Sequence, residues 1–386
     1  MYARRLQPPQ RSFFLLGPRG TGKTTWLRER FPTAKWFNLL QEREWSRLTR
    51  AHELFRQEVE ALPGESWVVV DEVQRLPWLL NEVHDLLSLE PDRYRFALTG
   101  SSARSLKARN VNLLAGRALS RRFFPLVASE VGLDVDVDDL LRFGGLPAVR
   151  SEKTVPARID LLEAYRDTYL AEEVRSEGLV RNLDGFARFL DVAALVNAQV
   201  LNTTGIARDA GVSRTTVQGF FEVLADTMIG TMLPAWRPRA RVKEVANPKF
   251  YLFDTGVART VSGRLREPLH STERGQLLEA WVLHELRAHL HDASLGGDLS
   301  YWRLPSGLEV DFVWQRGDRR VAIEVKASDR WRREDGDGLR ALGSGVGLDR
   351  CVALYLGRER LKDGAIDVLP FREFLAELAS GGLIPG

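Results

Sequence analysis

The sequence predicts an α/β protein in three parts, and three changes of pattern along the chain support this. Between Ser12 and about Val149, short apolar runs alternate with amphipathic stretches, which is typical of a parallel sheet with helices on both faces. Strand signals are absent from about 155 to 236, where helical periodicity takes over. From Pro248 onward, strands return around a helical stretch. We therefore expect three domains, at residues 1–150, 151–238 and 239–386.

Composition excludes several classes of protein before any motif is considered. Of the 386 residues, 44% are apolar, which is enough for ordinary cores and argues against a disordered chain. The 55 basic and 52 acidic residues leave a net charge of +3, which neither requires nor excludes nucleic acid. A single cysteine, Cys351, rules out a disulfide scaffold, and no apolar run approaches the ~18 residues of a membrane span. We expect a soluble cytoplasmic protein that does not enter a membrane.

A glycine-rich loop follows the first apolar strand, Phe13–Leu16, and opens a helix-like segment. It fits G-x-x-x-x-G-K-[ST], in which glycines let backbone N–H groups converge on phosphate oxygens at a helix N-terminus. The lysine then reaches the terminal phosphates, and the hydroxyl of Thr24 binds Mg²⁺. The alternative is a glycine-rich turn without a ligand. The residues expected to contact the nucleotide here are Gly17, Pro18, Arg19, Gly20, Thr21, Gly22, Lys23, Thr24 and Thr25.

An acidic pair, Asp71 and Glu72, stands where the apolar run Trp67–Val70 stops. Following the glycine-rich loop in this order, the pair predicts hydrolysis: Asp71 would hold the Mg²⁺ shell and Glu72 would polarise the attacking water.

The next strand, Tyr94–Leu98, ends in polar residues, of which Ser101 or Thr99 is a candidate sensor of the γ-phosphate. An ordinary strand-to-loop turn is the alternative.

Six basic residues and no acidic one lie between Ser101 and Pro125. Among them Arg117 is a candidate arginine finger, and the group could instead contact DNA phosphates or form a solvated basic face.

The middle part contains a predicted helix-turn-helix, with a turn at Gly211 and a second helix capped by Ser213. Residues after it, Met232-Leu233 and Trp236, would form the strand and wing of a winged helix. Basic residues are also frequent from Pro238 to Phe250, where Lys249 is one of four. The module either contacts DNA or only packs between domains. The candidate DNA-binding residues are Arg214, Thr215, Gln218, Arg239 and Arg241.

Two alternating strands, 307–314 and 320–326, flank a two-residue turn at Gly317-Asp318. If these two residues are the loop, Asp311 lies opposite Glu324, and Lys326 shares their face. Facing carboxylates repel unless a cation lies between them, so a divalent metal is expected, with Lys326 beside it. Glu279, on or beside the apolar face of a helix, is a further candidate ligand. The alternative is a surface ion pair between Lys326 and Glu309, with Asp311 and Glu324 solvated.

Together these motifs resemble a family of bacterial and archaeal AAA-like ATPases with an uncharacterised C-terminal domain. The motifs that carry the resemblance in the N-terminal part are GPRGTGKT, DEVQRLP, LTGSS, LAGR and FGGLPAV, at 17–24, 71–77, 98–102, 114–117 and 143–149. Those in the C-terminal part are KFYLFDTGVA, GQLLEAWVLHEL and EVDFV with IEVKAS, at 249–258, 275–286 and 309–328.

The resemblance implies a P-loop ATPase core of the AAA type (ASCE class), a winged-helix middle domain and a C-terminal domain similar to PD-(D/E)XK nucleases, which have a restriction-endonuclease-like fold. In that domain the implied metal-dependent site is Glu279, Asp311, Glu324 and Lys326, although Val310 replaces the usual proline.

We therefore expect an ATPase whose nucleotide state controls DNA binding and Mg²⁺-dependent DNA cleavage, with Mn²⁺ as a possible substitute at the nuclease site. ATP-dependent homo-oligomers are expected, with Arg117 at the subunit interface. The alternative function is a nucleotide-switched ATPase whose nuclease fold is silent and only binds DNA or a protein.

Overall fold

The computed structural model describes residues 2–101, 114, 116–170, 182–237 and 247–384, which form two compact units. Among these residues, the first unit comprises 3–125 and 226–229, and the second comprises residue 2 with 126–225 and 230–384. The three predicted domain ranges, 1–150, 151–238 and 239–386, stay a prediction.

The first unit is built on a five-stranded parallel sheet in the order β2-β3-β4-β1-β5. Its first four strands lie where the apolar runs predict them. The fifth was not predicted, because its sequence Leu-Ser-Arg-Arg is polar and largely exposed at the sheet edge. The strands are β1 (Phe13–Leu16), β2 (Lys35–Asn38), β3 (Ser66–Asp71), β4 (Tyr94–Gly100) and β5 (Leu119–Arg122). The helices are α1 (Lys23–Arg30), α2 (Glu42–Arg50), α3 (Glu53–Glu60) and α4 (Leu79–Leu89).

Both faces of this sheet are buried, as the continuous apolar strands predict. Phe14, Val68 and Val70 pack in one apolar cluster, whereas Phe13 and Val69 pack in another. Alternate residues of a strand point to opposite faces, so strands covered on both sides need apolar residues at every position. Polar side chains are then concentrated at the carboxyl ends of the strands, where the loops begin.

The second unit begins with helices, and its helix-turn-helix segment lies where the sequence predicts it. Asn202 caps the first of these two helices, accepting a bond from Gly205 N at 3.1 Å, and Ser213 Oγ accepts one from Thr216 N at 3.1 Å before the second. Their assignment to a winged helix stays a prediction. The helices from 126 to 230 are α5 (Ala128–Val131), α6 (Val137–Phe143), α7 (Pro147–Ser151), α8 (Val155–Ala164), α9 (Leu183–Leu195), α10 (Thr203–Ala210) and α11 (Arg214–Asp226).

Two sheets follow, one of three strands in the order β6-β8-β7 and one of six in the order β13-β14-β12-β11-β10-β9. The two-residue strand β6 lies in the part from about 155 to 236, where no strand was predicted before Met232, and it corrects that prediction. The strands are β6 (Gln199–Val200), β7 (Gly230–Leu233), β8 (Lys249–Leu252), β9 (Asp298–Arg303), β10 (Glu309–Arg316), β11 (Arg319–Lys326), β12 (Arg350–Tyr355), β13 (Leu361–Asp363) and β14 (Ile366–Pro370). The helices are α12 (Thr255–Val261), α13 (Ser271–Asp292), α14 (Asp337–Gly345) and α15 (Phe371–Ala379).

The β10–β11 hairpin has the predicted register. Phe312 pairs with Ile323 and Arg316 with Arg319, which leaves Gly317-Asp318 as the turn. Opposite β9, the pairing of β10 shifts between Val310 and Val313. This irregularity lies at Asp311, as expected where a strand must redirect a side chain.

One buried carboxylate fixes the start of α12. Asp254, which is 5% exposed, accepts bonds from Val257 N at 3.0 Å and from Gly145 N at 2.6 Å. We expect Asp254→Ala to lower the free energy of unfolding of the second unit by ~2–4 kcal/mol, because it removes a helix cap and leaves a buried N–H unpaired. Calorimetric thermal unfolding of the full chain would measure this.

The matched control is Asp136→Ala. The exposed Asp136 caps α6 through Asp139 N at 2.9 Å, and its loss is expected to cost only ~1 kcal/mol. Equal shifts of the unfolding transition in the two variants would contradict a special role for the buried cap.

Candidate functional site

The glycine-rich loop runs from the end of β1 to the start of α1 in the first unit. Gly22 has a φ of 93°, a conformation that residues with a side chain rarely adopt. A Cβ at Gly17 would lie 2.1 Å from the carbonyl oxygen of Phe123, so only glycine fits there. The backbone of this loop therefore requires its glycines, as expected of a phosphate cradle.

Lys23 lies across this loop. Its buried ammonium donates to the carbonyl oxygens of Gly17 at 2.7 Å and Pro18 at 3.0 Å. Phosphate oxygens entering the loop would offer stronger, charged acceptors to the same donor. Arg4, which the sequence analysis missed, braces the loop by donating to Thr21 O at 2.9 Å and to Phe124 O at 2.6 Å.

Asp71 links the loop to the strand ends. It is fully buried, and its carboxylate accepts bonds from Thr24 Oγ1 at 2.8 Å and Thr99 Oγ1 at 2.6 Å. A hydroxyl beside a carboxylate at the end of a phosphate loop is a donor set that fits Mg²⁺, which prefers oxygen ligands. Thr24 and Asp71 are therefore the residues that would hold this ion with its nucleotide.

Glu72 follows with a φ of 61°, which is uncommon for a residue with a side chain. Thr99 Oγ1 accepts a bond from Glu72 N at 2.9 Å and so fixes this backbone. The carboxylate accepts a bond from Gln74, and Ser101 Oγ lies 3.5 Å from it. Both candidate sensors, Thr99 and Ser101, thus contact the acidic pair. Gln74, a residue of the DEVQRLP motif to which no role was assigned, joins them.

The other predicted residues of this unit are at the surface. Thr25 is exposed in the first turn of α1, and Arg19 is half-buried in the loop. Arg117 is exposed shortly before β5, and its backbone N–H donates to Leu114 O at 3.0 Å.

The second unit brings the predicted carboxylates of the C-terminal part together. Helix α13 carries Glu279, β10 carries Asp311, and β11 carries Glu324 and Lys326. Lys326 Nζ donates to Glu324 Oε1 at 2.6 Å, and Asp311 Oδ2 accepts a bond from Val325 N at 2.9 Å. Oxygens of Glu279, Asp311 and the neighbouring Glu309 all lie within 4.8 Å of one another, an arrangement that could hold a metal ion.

Lys249, to which the sequence analysis gave no role in this site, lies among these carboxylates. The Lys249 ammonium lies 2.7 Å from Glu279 Oε1 and 3.5 Å from Asp311 Oδ1, and also contacts Glu309. The Lys249 side chain is 3% exposed, and Tyr251 donates to Glu279 beside it. Burial alone would lower the pKa of Lys249, but Glu279, Asp311 and Glu309 raise it above its usual value.

The alternative of a surface pair between Lys326 and Glu309 is wrong. Lys326 binds Glu324, whereas Glu309 contacts Lys249 and lies 3.1 Å from Arg303. Neither Asp311 nor Glu324 is solvated, because both are less than a tenth exposed.

Glu279 and Glu324 have raised pKa values because burial removes water from them and Asp311 adds a like charge. Burial, and then Asp311, raise the pKa of Glu279 to about 7 and that of Glu324 well above its usual range. Glu324 Oε2 is buried and has no hydrogen-bond partner among the described residues. A buried carboxylate oxygen without a partner is a donor atom that a divalent metal would satisfy, so Glu324 and its neighbouring carboxylates fit a metal site.

The helix-turn-helix segment presents its predicted DNA-binding residues to solvent. Arg214, Thr215 and Gln218 are exposed on α11, and Arg214 and Gln218 line a surface groove with Thr203 and Asn247. Two further candidates, Arg239 and Arg241, lie outside the described residues.

Within the described ranges, no helix has both the length and the apolar character needed to cross a membrane.

Three family models match successive parts of the chain. Residues 9–132 match an AAA domain, and the ranges 134–267 and 274–374 match two models described as domains of unknown function (DUF8612 and DUF4143). The N-terminal part of the chain is therefore similar to AAA domains.

Relatives and solved structures resemble the chain more distantly. An uncharacterized protein of Mycobacterium tuberculosis is 26% identical over 319 residues, 81% of this chain and 69% of the relative. One of Haemophilus influenzae is 21% identical over 290 residues, 71% of this chain and 68% of the relative. The ORC2 protein of Aeropyrum pernix is a structural match with 12% identity and a TM-score of 0.36, over 67% of this chain and 88% of that one.

Proposed function

We propose that this chain is an ATPase that couples its nucleotide state to DNA binding, and that its C-terminal carboxylates form a metal-dependent DNA cleavage site. The observation that carries the nuclease part is that Glu279 lies beside Asp311, Asp311 beside Glu324, and Glu324 beside Lys326, with Asp311 and Glu324 buried. Their elements are a helix and two paired strands of one compact unit. ATP and Mg²⁺ are the proposed cofactors of the first unit, and Mg²⁺ or Mn²⁺ that of the second.

The ATPase chemistry follows from the loop and the acidic pair. Loop N–H groups and Lys23 bind the phosphate chain, and Thr24 with Asp71 holds Mg²⁺ against it. Glu72 orients the attacking water by accepting its proton. Gln74 and Ser101 both contact the Glu72 carboxylate at Oε2, and these contacts hold the carboxylate in position.

At the second site, Glu279, Asp311 and Glu324 would hold the metal ion. The ion, when bound, supplies positive charge against the scissile phosphate and lowers the pKa of a coordinated water. Lys326, held by Glu324, is placed to orient the water or to neutralise charge on the phosphate. Exposed Arg214, Thr215 and Gln218 on α11 would contact DNA.

ATP-dependent homo-oligomers are part of the proposal. The exposed Arg117 is the candidate residue for reaching the nucleotide of a neighbouring subunit.

A second candidate function is a nucleotide-switched ATPase that binds DNA or protein without cutting. The Lys249 ammonium favours this second function, because the ammonium already neutralises the carboxylates that would hold the metal.

Incubation with DNA separates the two functions. We expect the wild-type protein to cut at least one of duplex, single-stranded and branched DNA when Mg²⁺ or Mn²⁺ is present, because the carboxylates bind the ion that the reaction needs. Product formation on denaturing gels is the measurement, with a chelator as control. Intact, salt-dependent DNA binding without any cleavage would favour the second function.

A further inference from the structure

Lys249 comes from a different sheet than the groups that surround it. It begins β8, the central strand of the three-stranded sheet, whereas Glu309 and Asp311 belong to the six-stranded sheet and Glu279 to α13. Within β8, every residue is buried, so the lysine enters the cluster from a strand without solvent access. The only cation that contacts Glu279 and Asp311 in the described part of the chain is this ammonium.

The position of the ammonium coincides with the position available to a metal ion. The carboxylates of Glu279, Glu309 and Asp311 that approach one another within 4.8 Å are the three that contact Lys249 Nζ. A divalent ion needs carboxylate oxygens at about 2.0–2.6 Å, so it would have to lie where the ammonium lies. Two cations this close repel strongly in a buried site.

We infer that Lys249 is an internal cation that competes with a divalent metal ion for the Glu279–Glu309–Asp311 cluster. The metal binds only when the flexible lysine side chain withdraws, while Tyr251 stays bonded to Glu279 and keeps that carboxylate in place. This inference rests on the proposed function only for the identity of the metal site. By occupying the cluster, Lys249 sets the affinity of these carboxylates for the metal ion.

Binding of Mn²⁺ by the nucleotide-free full chain tests the inference, with the loss of the free-ion electron paramagnetic resonance signal as the measurement. We expect Lys249→Met to bind one Mn²⁺ at least ~10-fold more tightly than the wild type, because a unit charge a few Å from the ion has been removed. Lys249→Arg keeps the charge and should not gain affinity. Adding Asp311→Asn to Lys249→Met should abolish the gain.

Removing Lys249 leaves the carboxylates of Glu279 and Asp311 without their cation, which opposes folding. Lys249→Met and the polar Lys249→Gln should therefore both be prepared. Each variant should be refolded with and without Mn²⁺. Folding of either variant only when Mn²⁺ is present supports the competition. Equal Mn²⁺ affinities of the wild type and a folded variant overturn it, and so does the absence of binding to both.

The outcome is independent of DNA cleavage. Tighter Mn²⁺ binding by Lys249→Met with no cleavage by any variant would support the inference and defeat the nuclease proposal. If the wild type cleaved DNA and bound Mn²⁺ as tightly as Lys249→Met does, this would support the nuclease proposal and contradict the inference about Lys249.

Discussion

Replacing Lys23 with alanine is expected to slow ATP hydrolysis at least ~100-fold, the effect typical of losing one preorganised donor to a developing charge. The Lys23 ammonium is buried at the loop that receives the phosphates, and its present acceptors are the neutral carbonyls of Gly17 and Pro18. Phosphate release and the affinity for a fluorescent ATP analogue are the two measurements.

Two further variants make this result interpretable. Lys35→Ala removes a lysine from the same unit, where it pairs with Glu58 at 2.7 Å near the surface, and should leave hydrolysis unchanged. Lys23→Met retains the buried chain length if the alanine variant does not fold. Normal ATP hydrolysis by a folded Lys23 variant would refute the nucleotide site.

The glycine-rich loop could be predicted because its sequence pattern is local. A strand, a loop and a helix follow one another within 18 residues, and Gly22 has a positive φ, whereas the requirement for Gly17 comes from the distant Phe123 and could not be predicted. The β10–β11 hairpin was predictable for a similar reason. A two-residue turn fixes its register, and the register then determines which side chains share a face.

Lys249 could not be assigned by the same reasoning. It contacts Glu279 and Glu309, which are 30 and 60 positions away in the chain, and no turn or repeat relates β8 to these elements. The available signals were a lysine directly before an apolar strand, Phe250–Leu252, and its place at the start of the KFYLFDTGVA motif, and neither indicates burial among carboxylates. Its burial depends on how two sheets and α13 meet, which is tertiary information.

Gln74 and β5 show two other limits of prediction from the sequence. Gln74 contacts Glu72 only because a short turn after β3 returns the chain toward Ser101. The edge strand β5 has no apolar alternation, since its side chains are largely exposed, and its backbone pairs with β1. An alternation of apolar and polar residues predicts strands that bury one face. It does not predict strands that bury neither face.

Asp311→Asn is expected to reduce metal-dependent DNA cleavage at least ~100-fold while leaving ATP hydrolysis unchanged, because a metal-held charge is worth several kcal/mol in the transition state. Asp311 is central to the cluster, since its charge raises the pKa of both Glu279 and Glu324. The fold should survive. An asparagine oxygen can still accept the bond from Val325 N, and Lys249 retains Glu279 and Glu309 as partners.

The matched control for this variant is Asp318→Asn, which changes a fully exposed carboxylate in the turn of the same hairpin. Its cleavage rate should equal that of the wild type. If Asp311→Asn cut DNA as fast as Asp318→Asn, the cleaving groups would lie elsewhere or belong to a contaminant. Loss of cleavage in Asp311→Asn alone, with ATP hydrolysis retained, would instead place the two reactions at separate sites, each with its own cation.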